Sequence, residues 1–396
     1  MEVCRRRVAN WALPALLILF ASAVHAANPF AKVGEIDLNE RLAALGEPRM
    51  DDLSVWSVSF SPDGSRLAIA FGAPAGSAPP TWSRYLLVVL AAHPETTVYW
   101  ANLARINPAK PALIGEPVWA PDGNSLAYPN FLIRVPGGEA CRVPGNFGGF
   151  LSAATALISI PDLSSAASQS LAPSPPTTFA AIDSQCRILE RQGFDRYSRL
   201  DGMSPDGHLL ALLAPVEPSQ RGGMDLSARG GTDLILVRLP LPDLKSGLKI
   251  HFAGPPVGIT AVFLNAGTVV CAPYGKSQYR RQPPYQVQIG CWDTETGTQV
   301  RQGQPVWTDL NMRLSAGGGR IAVNDSGRPG NGGTKAILRQ HGIWDFATNK
   351  MTAKWSPEVD ATNPTALGNA LGFAISPDGR LLAEAGSASV RFYRLP

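Results

Sequence analysis

Polar and apolar positions along this chain fall into a phrase that recurs. Residues 61–68 read SPDGSRLA, 204–211 read SPDGHLLA and 376–383 read SPDGRLLA. Pro-Asp-Gly is a tight-turn sequence, because Pro presets φ and Gly accepts the left-handed region. Aligning on that turn exposes weaker copies: APDGNSLA at 120–127, LNAGTVVC at 264–271 and SAGGGRIA at 315–322. A large apolar residue precedes every copy: Phe60, Trp119, Met203, Phe263, Leu314 and Ile375. A second apolar residue follows the turn (Leu67, Leu126, Leu210, Val270, Ile321, Leu382). The next residue is always small (Ala68, Ala127, Ala211, Cys271, Ala322, Ala383). An apolar strand, a tight turn and a second apolar strand predict a β-hairpin.

Six such hairpins recur at about 50–60 residues, with one gap of about 84 between residues 120 and 204, a spacing in the range of propeller blades. Third strands are expected downstream, in TALISIPDL, TDLILVRLPL, YQVQIGCWDTETG, AILRQHGIWDF and SVRFYRLP. LKIHFAG, TQVRQGQ and MTAKWSP supply shorter fourth strands. The pattern therefore predicts an all-β chain: a six-bladed β-propeller of four-stranded antiparallel blades, with seven blades as the alternative. A sandwich or β-helix with recurrent turns accounts less well for the common register. The last blade has three strands before Pro396, so a strand at about Val33–Leu38, in AKVGEIDL, is expected to close the ring and cover the edge.

VQIGCWDTETG (287–297) resembles the third strand and Trp-Asp turn of WD-repeat propellers, and Ile343-Trp344-Asp345 is a second copy. The SPDG-x-x-LA phrase resembles the repeat of TolB-type propellers. The resemblance covers about residues 33–396 and implies the fold, with little about function. No Gly-His dipeptide precedes a blade, so the buried Asp-His network of WD repeats is not implied. TolB-type proteins carry an α/β domain before the propeller, for which the segment ahead of the first hairpin is too short.

Composition agrees with short strands and turns: 45% hydrophobic, 17% charged, 39 Gly and 35 Pro. At the N-terminus, Arg5, Arg6 and Arg7 precede the apolar run ALPALLILFASAV and a small-residue site, Val24-His25-Ala26. Residues 1–26 are thus expected to be a signal peptide, with a single anchor helix as the alternative. Residues 27–396 would form one exported, monomeric propeller, periplasmic or secreted, without a membrane span after cleavage. In an oxidising compartment Cys141, Cys186, Cys271 and Cys291 are expected to form two disulfides, although four cysteines allow three pairings. Cys271 and Cys291 lie on strands expected to be neighbours within one blade, which leaves Cys141 to pair with Cys186. No Cys-x-x-Cys spacing suggests zinc or redox chemistry.

Signals for catalysis are weak. No Gly-x-Ser-x-Gly elbow is present, and the four histidines beyond residue 26 (His93, His208, His251, His341) show no ligand spacing. Gly275-Lys276-Ser277 ends like a P-loop, but Val270 stands where its first Gly is required. Asp52, Glu116, Asp201, Asp309 and Asn369 precede first strands, where lactonase-like propellers place metal ligands, but their offsets from the turns are irregular. No catalytic residue, metal or cofactor is therefore assigned. A lactonase-like hydrolase with an axial divalent metal is the alternative to a non-catalytic scaffold. A net charge of +4 is too small to argue for nucleic acid.

The expected connections from second to third strands are long: 72–97, 130–154, 215–231, 274–284 and 325–334. In a propeller these emerge on one face, where binding residues usually gather. They carry Trp82, Arg84, Arg221, Arg229, Lys276, Tyr279, Arg280, Arg281 and Tyr285, groups suited to a protein or an anionic envelope or glycan partner. A merely solubilising role for these loops is the competing reading.

Overall fold

The computed structural model describes residues 29–51, 53–75, 81–103, 116–128, 131–160, 177–194, 199–215, 232–239, 247–252, 261–275, 287–303, 312–325, 340–355, 372–386 and 388–396. Strand β1 (Ala31–Asp37) leads into the short helix α1 (Leu38–Ala44). The Asp37 carboxylate caps that helix by accepting from the amides of Asn39 and Glu40. Blade 1 follows as β2 (Ser54–Phe60), β3 (Arg66–Ala75), β4 (Thr81–Leu90) and β5 (Thr97–Asn102). Blade 2 is β6 (Val118–Trp119), β7 (Ser125–Tyr128), β8 (Phe131–Arg134) and β9 (Ala140–Arg142). Blade 3 is β10 (Asn146–Phe150), β11 (Thr155–Ile160), β12 (Thr177–Asp183) and β13 (Ile188–Phe194). Blade 4 is β14 (Arg199–Met203), β15 (Leu209–Pro215), β16 (Thr232–Arg238) and β17 (Leu248–Phe252). Blade 5 is β18 (Val262–Leu264), β19 (Val269–Gly275), β20 (Val287–Asp293) and β21 (Gln299–Gln302). Blade 6 is β22 (Met312–Gly317), β23 (Arg320–Asp325), β24 (Gln340–Asp345) and β25 (Lys350–Trp355). Blade 7 is β26 (Phe373–Ile375), β27 (Leu381–Ala385) and β28 (Ser389–Arg394), with β1 as its outermost strand.

The fold is thus a seven-bladed propeller of four-stranded antiparallel sheets, so the alternative count replaces the six blades first expected. The long gap between residues 120 and 204 holds two blades. TALISIPDL contributes the second strand of blade 3, not the third strand of blade 2. The expected loop at 130–154 contains β8, β9 and β10. Likewise, the expected loop at 72–97 contains the end of β3 and the whole of β4.

Closure uses β1, which pairs along β28 from Ala31↔Arg394 to Asp37↔Ser389. The register shifts between Lys32 and Gly34, leaving Val33 as the extra residue of a bulge and 46% exposed. Ile36 of the same strand is buried, as are Leu38 and Leu42 of α1, so strand and helix are sealed onto the last and first blades.

The packing explains the large-then-small pair on each second strand. Successive strand side chains point to opposite faces, and in a propeller both faces of a blade are covered by its neighbours. Leu67 packs in the cluster shared with blade 7, while Ala68 joins the cluster shared with blade 2. Leu126 and Ala127 divide in the same way between blades 1 and 3. Leu210 and Ala211, Val270 and Cys271, Ile321 and Ala322, and Leu382 and Ala383 all repeat it. The large residue always meets the preceding blade and the small one always faces the following blade. Burial of each such Leu or Ile contributes roughly 1.5–3 kcal/mol.

Blade 3 breaks the code. Its inner hairpin pairs Phe150 with Ala156, one residue tighter than Phe60↔Leu67 or Met203↔Leu210. Ala156 therefore meets the preceding blade and Leu157 the following one, the reverse of every other blade with the pair. Blade 6 differs too: Gly318 and Gly319 make a two-residue turn, and Leu314 pairs with Val323 rather than Ile321.

Candidate functional site

The two faces of the ring are built differently. On one face lie the turns between first and second strands, where the SPDG phrase does its work. Ser61 Oγ donates to Asp63 at 2.6 Å and accepts the Arg66 amide at 2.9 Å. Ser204 repeats this with Asp206 and the Leu209 amide, and Ser376 with Asp378 and the Leu381 amide. Burial pushes the Asp63, Asp206 and Asp378 carboxyls up. Hydrogen bonds from those serines and from neighbouring amides outweigh it and hold all three below their usual range.

Glycines let these turns lean on one another around the axis. Gly123 sits at φ +69° against Ser61, and Gly267 at φ +92° against Ser204. At Gly318 (φ +57°) an added Cβ would lie 2.5 Å from the Asp378 carbonyl, so blades 6 and 7 lock there. Arg66 donates to the Gly123 carbonyl of blade 2 at 2.8 Å, and Arg320 to the Gly379 carbonyl of blade 7 at 3.0 Å. The turns between third and fourth strands share this face. Asp183, Asp293 and Asp345 accept the amides of Arg187, Thr296 and Thr348, the largest causes of their lowered carboxyl pKa values. Asp122 likewise accepts the Asn124 amide of its own turn.

The opposite face receives the connections from second to third strands and from each blade to the next. Arg221, Arg229, Lys276, Tyr279, Arg280, Arg281 and Tyr285 lie outside the described residues. Among the described residues, the strand ends Pro215, Thr232, Gly275 and Val287 lie at this face. Trp82 and Arg84 are not loop residues. They stand on β4, paired with Pro74 and Gly72, at the end of the strand nearest this face.

Both disulfides pair as expected, Cys141–Cys186 and Cys271–Cys291. Cys271 and Cys291 face each other across β19 and β20 in the core between blades 5 and 6. Cys141–Cys186 crosses between blades. It ties β9, the outermost strand of blade 2, to the turn after β12 in blade 3. Beside it lies a cleft of about 220 Å³ between the two blades, bordered by Leu132, Arg134, Glu139, Phe150 and Thr155.

A buried polar cluster was not anticipated. His341 Nδ1 lies 2.7 Å from Glu384 Oε1, with both side chains about 95% buried, and Trp355 Nε1 donates to the same oxygen at 2.9 Å. The His341 ring is 4.3 Å from that of Phe373 and edge-on to Trp355. His341 and Trp355 belong to blade 6 and Glu384 and Phe373 to blade 7, so the cluster clasps those blades. Its only signal in the sequence is a charge inside the apolar run LLAEA.

Among the described residues, no group of three or more His, Cys, Asp or Glu side chains could hold a metal ion. Of the five residues considered as axial ligands, Glu116 alone has a described side chain. No described helix is long and apolar enough to cross a membrane, and residues 1–28 lie outside the described residues.

No protein-family model matches the chain, and no curated protein is similar to it in sequence. Its structure is similar to that of Kuenenia stuttgartiensis hydrazine synthase, at a TM-score of 0.54 and 13% identity, covering 87% of this chain and 97% of that one. It is also similar to the C-terminal WD40 domain of Sif2, at a TM-score of 0.48 and 11% identity, covering 88% of this chain and 83% of that one. The likeness to hydrazine synthase shows the propeller fold alone.

Proposed function

We propose that this chain is an exported, non-catalytic propeller that binds a protein or an anionic envelope or glycan component through the face opposite the SPDG turns. The asymmetry of the two faces carries this reading. One face is made of tight, interlocked turns whose aspartates Asp63, Asp122, Asp183, Asp206, Asp293, Asp345 and Asp378 accept from nearby amides or hydroxyls. On the other face we expect the loops that carry Arg221, Arg229, Lys276, Tyr279, Arg280, Arg281 and Tyr285, residue types that suit charge pairing and stacking. Two disulfides agree with an oxidising compartment.

Immobilised protein, exposed to a native envelope fraction at low and at raised salt, tests the proposal. Arg280→Ala/Arg281→Ala should capture less of the salt-sensitive partner while unfolding within about 0.5 kcal/mol of the parent. Arg380→Ala is the comparison on the turn face, since its side chain is 83% exposed. Arg66 does not serve, because it braces blade 2. Equal losses of capture by the two variants would reject the assignment of the face.

A further inference from the structure

The two disulfides stand in opposite settings. Cys271 and Cys291 are both fully buried within one blade. Cys141 and Cys186 are partly exposed, and they join two blades at the rim of an open cleft. Blade 2 is also the slightest of the ring, with two residues in β6 and three in β9. The disulfide anchors that three-residue outer strand to blade 3.

The position of Cys186 points the same way. It sits at φ +60° in the turn between the third and fourth strands of blade 3. The equivalent turns of blades 5 and 6 place Gly297 at φ +71° and Asn349 at φ +56°, residue types that accept the left-handed region. Asp183 holds the blade 3 turn by accepting the amides of Gln185 and Arg187 at 2.9 Å. A cysteine at this position aims its sulfur across the joint at Cys141, where glycine would offer no side chain.

We infer that Cys141–Cys186 is a site of thiol–disulfide exchange, a latch that a dithiol reductant opens while the rest of the ring stays closed. A thiolate of the reductant attacks one sulfur of the pair, forming a mixed disulfide and expelling the other cysteine as a thiolate, which takes up a proton. The second thiol of the reductant resolves the mixed disulfide. The reductant leaves as its own disulfide, and the protein gains two electrons and two protons. Exchange requires access to a sulfur, which this pair has and Cys271–Cys291 lacks until blade 5 opens. Release frees β9, and the cleft lined by Leu132, Phe150 and Ala156 widens between blades 2 and 3.

The test uses the purified protein with increasing dithiothreitol under native conditions, followed by alkylation and peptide mass spectrometry. The 141–186 cross-linked peptide should be lost while the 271–291 cross-linked peptide remains intact and the circular dichroism is unchanged. Hydrogen exchange of residues 140–142 and 150–156 should then rise, and Cys141→Ser/Cys186→Ser should show the same rise without reductant. Loss of both cross-links together with the fold would overturn the inference. So would prior loss of 271–291, or reduction of 141–186 with no change in exchange.

Discussion

Removing the Glu384 carboxylate should loosen the joint between blades 6 and 7. In Glu384→Ala the His341 ring and the Trp355 indole lose an acceptor at 2.7 and 2.9 Å, in a place where the side chains of both members of the His341–Glu384 pair are about 95% buried. Losing this shared acceptor costs each of the two buried polar groups about 1–3 kcal/mol, about 4 kcal/mol together. Unfolding entropy near 2.1 cal/mol/K per residue gives about 0.8 kcal/mol/K for a chain this long, hence a fall in Tm of about 5 °C. Thermal unfolding followed by circular dichroism measures it, with the exposed Glu190→Ala as the reference substitution.

Two further readouts separate the clasp from a general packing defect. His341→Ala combined with Glu384→Ala should cost less than the sum of the single variants, because each removes the same contact. Tyr393 reports on the carboxylate as well. Burial first, then the Glu384 charge and hydrogen bond, push its phenol up to about 12. Glu384→Gln removes the charge and should lower that value, leaving the contribution of burial. A Tm for Glu384→Ala within about 1 °C of the Glu190→Ala reference, or additive single variants, would refute the clasp.

Stability should be fullest above the ordinary carboxylate range and fall with acid. Glu35, Asp63, Asp183, Asp206, Asp293, Asp345 and Asp378 all titrate lower in the fold, so the unfolded chain takes up protons first as pH drops. Urea midpoints should hold near neutrality and decline from about pH 5 downward; a midpoint that rises on acidification would contradict this. Ser204→Ala should cost about 1 kcal/mol, since the Leu209 amide loses its side-chain acceptor, and blade 2 already tolerates Ala120 at the equivalent place. Ile36→Asp puts a charge into the buried face of β1 and should release the closing strand, measured as faster hydrogen exchange in β28 and a greater tendency to aggregate.

Most of the fold was legible because the SPDG turn and the large-small pair mark where hairpins sit and which way they face. Blade 3 was illegible for definite reasons. Its turn, LSAAT, lacks Pro-Asp-Gly and closes through Ser152 Oγ, which accepts the amides of Ala154 and Thr155. Its first strand is NFGGF, where two glycines erase the β-forming signal. With that blade unseen, its second strand was assigned to blade 2. Trp82 and Arg84 were misplaced for a related reason: β3 and β4 are ten residues each, longer than the phrase predicts. The disulfide pairs followed from setting Cys271 and Cys291 on neighbouring strands, but the crossing from blade 2 to blade 3 needed the missing blade. The His341–Glu384 clasp joins residues on different blades, and no local pattern encodes such a meeting.

The reversed pair in blade 3 bears on where the ring can yield. In five joints a large second-strand residue of one blade presses on the preceding blade, whose small residue makes room. At the joint of blades 2 and 3, Ala127 faces Ala156, small against small, and the space is filled by Phe150, Ile158 and Leu132 around them. At the joint of blades 3 and 4, Leu157 faces Leu210, large against large. Two alanines contribute less apolar contact than Leu against Ala, by about three methylenes' worth or roughly 2 kcal/mol. The joint that is lighter in this respect is the one that carries the interblade disulfide and the open cleft. Ala156→Leu would test whether the deficit is real: if the cleft can accept the added side chain, the joint should stabilise. In the tight Ala68 position of blade 1, which is fully buried, the same change should destabilise by about 1–3 kcal/mol. Equal destabilisation at both sites would mean that blades 2 and 3 are packed as closely as the rest.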